Sequence, residues 1–291
     1  TGLPVFSTND NVVASTNPNK AIFSPQTNYI IADDIANNGI VNWNINKSAP
    51  AYQIQNFLAE NDLLSFDISP DGKQLAARSK FYNINFYNAE TGELKDLTTD
   101  KVSGVHYVDN QNLVLRTLEE KSDDVKFKML SIGSLSNQNT FASYETFLKD
   151  YVAVNKINGQ LARANVESGI SVYNIKTGDI RKVEKNNGLL QWLCYNHAGT
   201  KLYASYEHQT KRGVQYTIIY DAVTLKELKK LPFAVDKFQL TKDDRLMAGV
   251  SFKNGFEIEI YDLHTEQFVS VLKGHHSAIA SIHFSPDDKL L

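Results

Sequence analysis

The sequence predicts an all-β protein with the β-propeller fold, built from seven four-stranded antiparallel blades of which the last is incomplete. The first observation is a repeat of roughly 43 residues, in which an apolar strand ends in an aromatic residue followed by Asn or Asp. Two turn motifs recur in phase with this repeat, between short strands rich in Ile, Val, Leu, Tyr and Phe. The strand-ending pairs are Trp43-Asn44, Tyr87-Asn88, Tyr173-Asn174, Tyr220-Asp221 and Tyr261-Asp262, with Leu130-Ser131 in the remaining place.

The first turn motif is a polar turn that connects the first strand of a blade to the second. Proline presets φ in this turn, Asp and Asn bond to their own backbone, and Gly tolerates a positive φ. Weaker copies occur at 108–113 and 155–161. The stronger copies begin at Ser24-Pro25, Ser69-Pro70-Asp71-Gly72, Asn196-His197-Ala198-Gly199, Thr241-Lys242-Asp243-Asp244 and Ser285-Pro286-Asp287-Asp288.

The second turn motif follows each aromatic-Asn/Asp pair and is typical of a hairpin between the third and fourth strands. One blade therefore runs as four strands from the axis outward, with a variable loop between the second and third strands. The copies are Glu90-Thr91-Gly92, Lys176-Thr177-Gly178, Val223-Thr224-Leu225 and His264-Thr265-Glu266.

Six full units are expected in one propeller domain that spans residues 1–291, at about 17–57, 58–98, 99–140, 141–184, 185–231 and 232–272. A seventh unit begins at 273 and stops at 291, short of two or three strands. Pro4–Ser7 and Asn11–Ser15 have the pattern of two short strands and could complete this blade. The alternative, which the stop within a strand pattern favours, is that the chain is part of a longer protein.

These motifs resemble the WD-repeat family and its bacterial propeller relatives over essentially the whole chain. The best local match is 272–288, where Gly274-His275 corresponds to the Gly-His pair of that family. The other units lack this pair, and Tyr usually replaces the family's Trp, so the chain resembles a divergent member. The resemblance implies a scaffold for protein–protein interactions.

Composition argues against several classes of function. The net charge is −3, with 30 basic and 33 acidic residues, which does not suit a nucleic-acid binder. No apolar run is long enough to span a bilayer. The single cysteine, Cys194, is expected to be a buried apolar residue. Scarcity of cysteine slightly favours a cytoplasmic location, although many bacterial envelope proteins are also poor in cysteine.

The sequence offers no catalytic, metal-binding or cofactor-binding motif. The seven histidines and the cysteine have no metal-ligand spacing, and no nucleophile elbow or phosphate-binding loop occurs. The two tryptophans are too few for a propeller that binds a quinone cofactor. Asp33-Asp34, Glu119-Glu120, Asp123-Asp124 and Asp243-Asp244 are paired carboxylates, for which solvated turn positions are the expected role.

Two long loops between second and third strands are the best candidates for partner binding. They emerge on the same face because strands alternate in direction, and long loops on a rigid scaffold often carry binding residues. The loop of the third unit is acidic, with Glu119, Glu120, Asp123 and Asp124. The loop of the fifth unit is weakly basic, with His208, Lys211 and Arg212. Tolerated insertions without a binding role are the alternative.

The sequence therefore predicts a non-enzymatic platform that binds one or more protein partners and needs no cofactor. A first alternative is a propeller module of a larger enzyme or receptor whose catalytic domain lies outside these residues. A second is a hydrolase that resembles the propeller lactonases. That alternative needs ionisable groups facing the channel, and among the first strands considered only Asp67 is charged.

Overall fold

The structure is a computed structural model that describes residues 21–25, 29–34, 39–44, 49–54, 65–79, 81–98, 101–118, 124–145, 150–165, 169–183, 188–211, 213–251, 253, 256–276, 278–279, 281–289 and 291. These residues form six four-stranded antiparallel sheets, and the strands of each sheet are hydrogen-bonded in sequence order. The prediction of a propeller with four-stranded antiparallel blades is confirmed.

The first three blades contain β1 to β12. Blade 1 consists of β1 (Ala21–Phe23), β2 (Tyr29–Asp34), β3 (Gly39–Asn44) and β4 (Ala49–Ile54). Blade 2 consists of β5 (Phe66–Ile68), β6 (Gln74–Arg78), β7 (Ile84–Asn88) and β8 (Leu94–Leu97). Blade 3 consists of β9 (Val102–Tyr107), β10 (Asn112–Leu118), β11 (Asp124–Ser131) and β12 (Ser134–Glu145).

The last three blades contain β13 to β24. Blade 4 consists of β13 (Asp150–Asn155), β14 (Gln160–Asn165), β15 (Gly169–Asn174) and β16 (Ile180–Val183). Blade 5 consists of β17 (Gly188–Tyr195), β18 (Lys201–His208), β19 (Gln215–Asp221) and β20 (Glu227–Leu231). Blade 6 consists of β21 (Val235–Leu240), β22 (Leu246–Ser251), β23 (Ile258–Asp262) and β24 (Gln267–Leu272).

The expected count of seven blades is wrong for the described residues, which form six. After β24, the described positions of 273–291 contain no strand. Ile279 and Ile282 nevertheless pack on the face of blade 6, as an inner strand would. A strand requires a ladder of backbone hydrogen bonds to a neighbour, and none of the described residues supplies one here. Pro4–Ser7 and Asn11–Ser15, the proposed completing strands, lie outside the described residues.

The core lies between neighbouring blades rather than within one of them. In β6, Leu75 and Ala77 pack towards blade 1, whereas Ala76 between them packs towards blade 3. This follows from the period of two in a strand, which sends successive side chains to opposite faces of the sheet. Both faces of a blade are therefore apolar, and its first three strands contain most of the buried residues.

The aromatic-Asn/Asp motif has a physical cause that is visible in the turns. The side-chain oxygen of Asn88 accepts hydrogen bonds from the backbone N–H groups two and three residues later, at 2.9 and 3.0 Å. Asn174, Asp221 and Asp262 make the same two bonds in their own blades. The fourth residue after each has a positive φ, 74° at Gly92 and 77° at Gly178. The motif therefore terminates the third strand and starts the hairpin.

Candidate functional site

The structure describes only part of the two predicted binding loops. His208 and Lys211 belong to the loop between β18 and β19, where Nδ1 of His208 accepts the backbone N–H groups of Thr210 and Lys211 at 3.3 Å. The imidazole of His208 thus orders its own loop. Glu119, Glu120, Asp123 and Arg212 lie outside the described residues. Asp124 begins β11, and its side chain is not described. A binding role for these seven residues stays a prediction.

A groove of about 420 Å³ lies between blades 5 and 6 on the same face as these loops. We call it the 5–6 groove. Val214 from the β18–β19 loop, Phe233 from the connection between the blades, and Phe268 from β24 contribute to its walls. The rings of Phe233, Tyr261 and Phe268 form a cluster with centroid distances of 4.3 to 5.2 Å. Phe268 nevertheless remains 49% exposed, so part of the aromatic surface faces the groove and solvent.

A carboxylate lies beside this aromatic surface. The side chain of Glu259 is only 13% exposed, and Oε1 accepts a hydrogen bond from the hydroxyl of Ser251 at 2.9 Å. The ammonium of Lys253 lies 3.8 Å from the same oxygen and is well exposed. A part-buried carboxylate next to exposed rings can bind a basic or hydrogen-bond-donating group whose apolar part contacts the rings.

A second groove, of about 860 Å³, lies on the opposite face at the rim between blades 3 and 4. We call it the 3–4 notch. It is bordered by the first-to-second-strand turns of both blades, by Met129 and Thr140 of blade 3, and by the hairpin turn of blade 4. That hairpin turn contributes Ile175 and Gly178. No sequence motif pointed to either groove.

The sequence did hold partial signals for the two grooves. Phe268 belongs to an outer strand without a charged residue, Gln267–Leu272, whereas β8, β16 and β20 each contain at least two. At the 3–4 notch, Asn139 holds the register position in blade 3 that Tyr52 holds in blade 1. Both features can be recognised as unusual only after the blades are aligned by their hydrogen-bonded register, because only then are equivalent positions compared.

Asp67, the candidate carboxylate of the channel, joins two blades through hydrogen bonds. Its Oδ1 accepts the backbone N–H of Ile68 at 2.9 Å, and its Oδ2 accepts that of Tyr107 in blade 3 at 2.8 Å. The paired carboxylates Asp243 and Asp244 also accept hydrogen bonds from protein groups. Asp243 accepts the hydroxyl of Thr241 in its own turn, and Asp244 accepts three N–H groups from the turn of blade 5. The prediction of solvated carboxylates missed this second role, because the donors come from another blade.

Neither a thiolate nor a metal-binding cluster is found among the described residues. Burial raises the pKa of the Cys194 thiol to about 12, so this residue is protonated at neutral pH. The described residues contain no group of three or more His, Cys, Asp or Glu that could hold a metal ion. They also contain no helix long and apolar enough to cross a membrane.

Comparisons with known proteins agree on the fold. No family model matches the chain, and no curated protein sequence matches it. Hydrazine synthase of Kuenenia stuttgartiensis is similar in structure, with a TM-score of 0.72, 11% identity, and coverage of 98% of this chain and 94% of that one. The β-propeller domain of Cps50 (Swd1) of Myceliophteria thermophila has a TM-score of 0.67 and 13% identity, with coverage of 91% and 88%.

The chain is therefore a β-propeller. The resemblance to WD-repeat-like propellers is consistent with the second of these neighbours, a β-propeller domain, at the level of the fold. At such low identities the likeness extends to the fold and not to the activity of either protein.

Proposed function

We propose that the protein is a non-enzymatic interaction platform that binds an extended segment of a partner protein in the 5–6 groove. The observation that carries the proposal is the combination of the exposed ring of Phe268 and the half-buried ring of Phe233 with a part-buried carboxylate in one groove. Anchors of this kind, an aromatic surface beside a polar group, dominate the binding energy of protein interfaces. The groove also lies on the face on which the sequence predicts the two binding loops.

The described carboxylates support a platform rather than a hydrolase. A propeller hydrolase requires ionisable groups that converge on a substrate. Asp67 instead accepts two backbone N–H groups, and Asp244 accepts three groups from a neighbouring turn. These oxygens stabilise contacts between blades. The alternative of a propeller module in a larger enzyme is compatible with the same binding role, and no observation favours it.

The groove indicates the chemistry of the partner segment. The partner would place an apolar or aromatic side chain on Phe233 and Phe268, and a Lys or Arg side chain towards Glu259. A charge-assisted hydrogen bond to Glu259 would be strengthened by the low exposure of its carboxylate. Val214 would contact the backbone of the bound segment at the edge of the groove.

The test is selection of peptides from a random dodecapeptide phage library on the immobilised protein. We expect enriched peptides that share a basic residue near an apolar one, and whose affinity falls by about tenfold or more in Phe268→Ser and in Glu259→Gln. Leu94→Ser is the matched control, because Leu94 is also 49% exposed but lies on the rim of blade 2. Selected peptides that bind all variants equally, or no enrichment, would contradict the proposal.

A further inference from the structure

In three blades, one equivalent position of the outer strand interacts with the hairpin turn of the next blade. In each of these blades, the third strand has a residue two places before the turn-forming Asn or Asp. The equivalent position is the outer-strand residue that is paired with it in the antiparallel register. It is Tyr52 opposite Asn42 in blade 1, Arg181 opposite Val172 in blade 4 and Lys229 opposite Ile219 in blade 5.

Each of these three side chains acts on the next turn. Tyr52 donates its phenol hydrogen to the carbonyl of Ala89 at 2.8 Å, and Lys229 forms an ion pair with Glu266. The positive charge of Arg181 adds to the hydrogen bonds from Thr224 that lower the pKa of Asp221. In these three blades, the position therefore joins neighbouring blades at the rim, each time through a different kind of side chain.

Tyr52 also shows how a ring fits onto such a turn. A Cβ atom built on Gly92 would lie 2.6 Å from Cδ2 of Tyr52, so the ring lies directly on this glycine. The absence of a side chain at Gly92 makes this close approach possible. In addition, Nδ2 of Asn42 donates to the same Ala89 carbonyl at 2.8 Å.

The hairpin turn of blade 4 repeats the turn of blade 2 bond for bond. The N–H of Gly178 donates to the carbonyl of Asn174 at 2.8 Å, as that of Gly92 does to Asn88 at 2.9 Å. The N–H of Ile175 donates to the carbonyl of Gly159 at 2.9 Å, and this bond matches that of Ala89 in blade 2. Ile175 thus occupies the place of Ala89, and Gly178 occupies the place of Gly92.

Among the side chains that the structure describes, blade 3 supplies no ring for this turn. Met129 occupies the place of Asn42, and its thioether has no hydrogen to donate to the Ile175 carbonyl. The outer-strand residues opposite Lys128 and Met129 are Thr140 and Asn139, and neither is aromatic. The space that Tyr52 fills between blades 1 and 2 is here the open 3–4 notch of about 860 Å³.

We propose that the 3–4 notch binds a tyrosine side chain of a partner protein, in the way that blade 2 binds Tyr52. The ring lies on Gly178, and the phenol donates its hydrogen to the carbonyl of Ile175. Asp109 and Lys176 border the notch and contact the polar backbone on either side of that tyrosine. This site lies on the face opposite the 5–6 groove and does not depend on the function proposed there.

The probe is acetyl-Gly-Tyr-Gly-amide, titrated into the isotope-labelled protein and followed by the amide NMR signals of Ile175, Lys176, Thr177 and Gly178. We expect saturable shifts at these amides, with a weak dissociation constant on the order of millimolar. Acetyl-Gly-Phe-Gly-amide lacks the phenol donor and should bind about two- to tenfold more weakly. Absence of shifts up to the solubility limit, or equal binding of the two peptides, would overturn the proposal.

Two variants sharpen the test. Thr140→Tyr places a ring at the wall of the notch and should abolish binding of the peptide. Tyr52→Ala empties the corresponding place between blades 1 and 2, and should add a second binding event seen at Ala89 to Gly92. If Thr140→Tyr binds the peptide as the unchanged protein does, the notch is not the site. Should Tyr52→Ala fail to fold, the peptide pair and Thr140→Tyr still decide the question.

Discussion

Single carboxylates join neighbouring blades at the turns between first and second strands. Asp244 of blade 6 accepts Nδ2 of Asn196 at 2.8 Å and the backbone N–H groups of His197 and Ala198 at 2.7 and 3.1 Å. Asp288, in the following turn, accepts the N–H of Lys242 in blade 6 at 2.9 Å. A carboxylate suits this role because it has two oxygens and accepts several hydrogen bonds at once.

Asp244→Asn should therefore loosen the contact between blades 5 and 6. The amide keeps one accepting oxygen, and its NH₂ group faces an N–H donor that loses its partner. We expect a loss of about 1–3 kcal/mol in the free energy of unfolding, measured by urea denaturation. Asparagine tolerates the positive φ of 58° at this position, so backbone strain does not confuse the result. Asp179→Asn, in an exposed turn, is the control, and an equal loss there would contradict the argument.

Arg245 and Asp262 form an ion pair that should make stability depend on acid pH. Nε and Nη2 of Arg245 donate to Oδ2 of Asp262 at 3.0 and 2.8 Å. This pairing, together with the backbone N–H groups of Thr265 and His264, lowers the pKa of Asp262 to about 2. A lowered pKa contributes stability above the ordinary pKa of the carboxyl, about 3.9, and that stability is lost as pH falls towards 2.

The expected result is that Arg245→Met is less stable than the unchanged protein at pH 7, by an amount that shrinks below pH 4. Urea denaturation at pH 7, 5, 4 and 3 measures the difference. Lys95→Met is the control, because Lys95 and its partner Glu93 are both exposed and such pairs contribute little. A difference between Arg245→Met and the unchanged protein that is the same at all pH values would contradict the role of Asp262.

At the scale of the strand, β24 differs from the outer strands of blades 2, 4 and 5. The outer strands β8, β16 and β20 hold lysine, arginine or carboxylate side chains, which discourage pairing with another molecule. β24 is exposed at every residue and has no charged one, and Val269 is 53% exposed. Such an edge favours contact with another strand or apolar surface.

Val269→Lys should therefore reduce self-association of the protein at high concentration. We expect the average mass of the unchanged protein to rise with concentration in light scattering, and that of the variant to stay constant. Stability should change by less than about 0.5 kcal/mol, because the position is exposed. Leu228→Lys in β20 is the control, since Lys229 and Lys230 already charge that strand. A constant mass for the unchanged protein would contradict the expectation.

The elements that the sequence predicted well are those whose causes are local. Asn88 and its counterparts bond to residues two and three places later, so the signal repeats within a short stretch of chain. The 5–6 groove was missed because Val214, Phe233 and Phe268 come from three separate segments that meet only in the folded blades. The role of Asp244 was missed for the same reason, because its donors are 46 to 48 residues away.

The count of blades depends on the whole molecule and could not be read from repeats alone. The repeat at 273–289 has the turn and the apolar pattern of a blade, but a blade also needs partner strands for its ladder. Among the described residues, this segment packs by its side chains and forms no ladder. Repeat periodicity identifies units of sequence, whereas hydrogen bonds between strands define blades.

The segment that follows β24 bridges the last blade to the first. The carbonyl of Ile279 accepts Nζ of Lys237 in blade 6 at 2.9 Å, and Ile282 packs in the same apolar cluster as Val250 and Ile258. On the other side, the hydroxyl of Ser281 accepts the N–H of Ala21, 260 residues earlier, at 3.4 Å. This segment therefore contacts both the last blade and the first.

Ile282→Ala should therefore weaken blade 1 as well as blade 6, although blade 1 is far away in sequence. Ile282 is only 7% exposed, and truncation of a buried isoleucine costs about 2–5 kcal/mol where the cavity does not collapse. Hydrogen exchange measures the effect, and we expect faster exchange in β22, β23 and β1, with β14 and β15 of blade 4 unchanged. Ile157→Ala, at a position 68% exposed, is the control. If exchange in β1 stays as slow as in the unchanged protein, the segment does not join the two blades, and the ring is held together by other contacts.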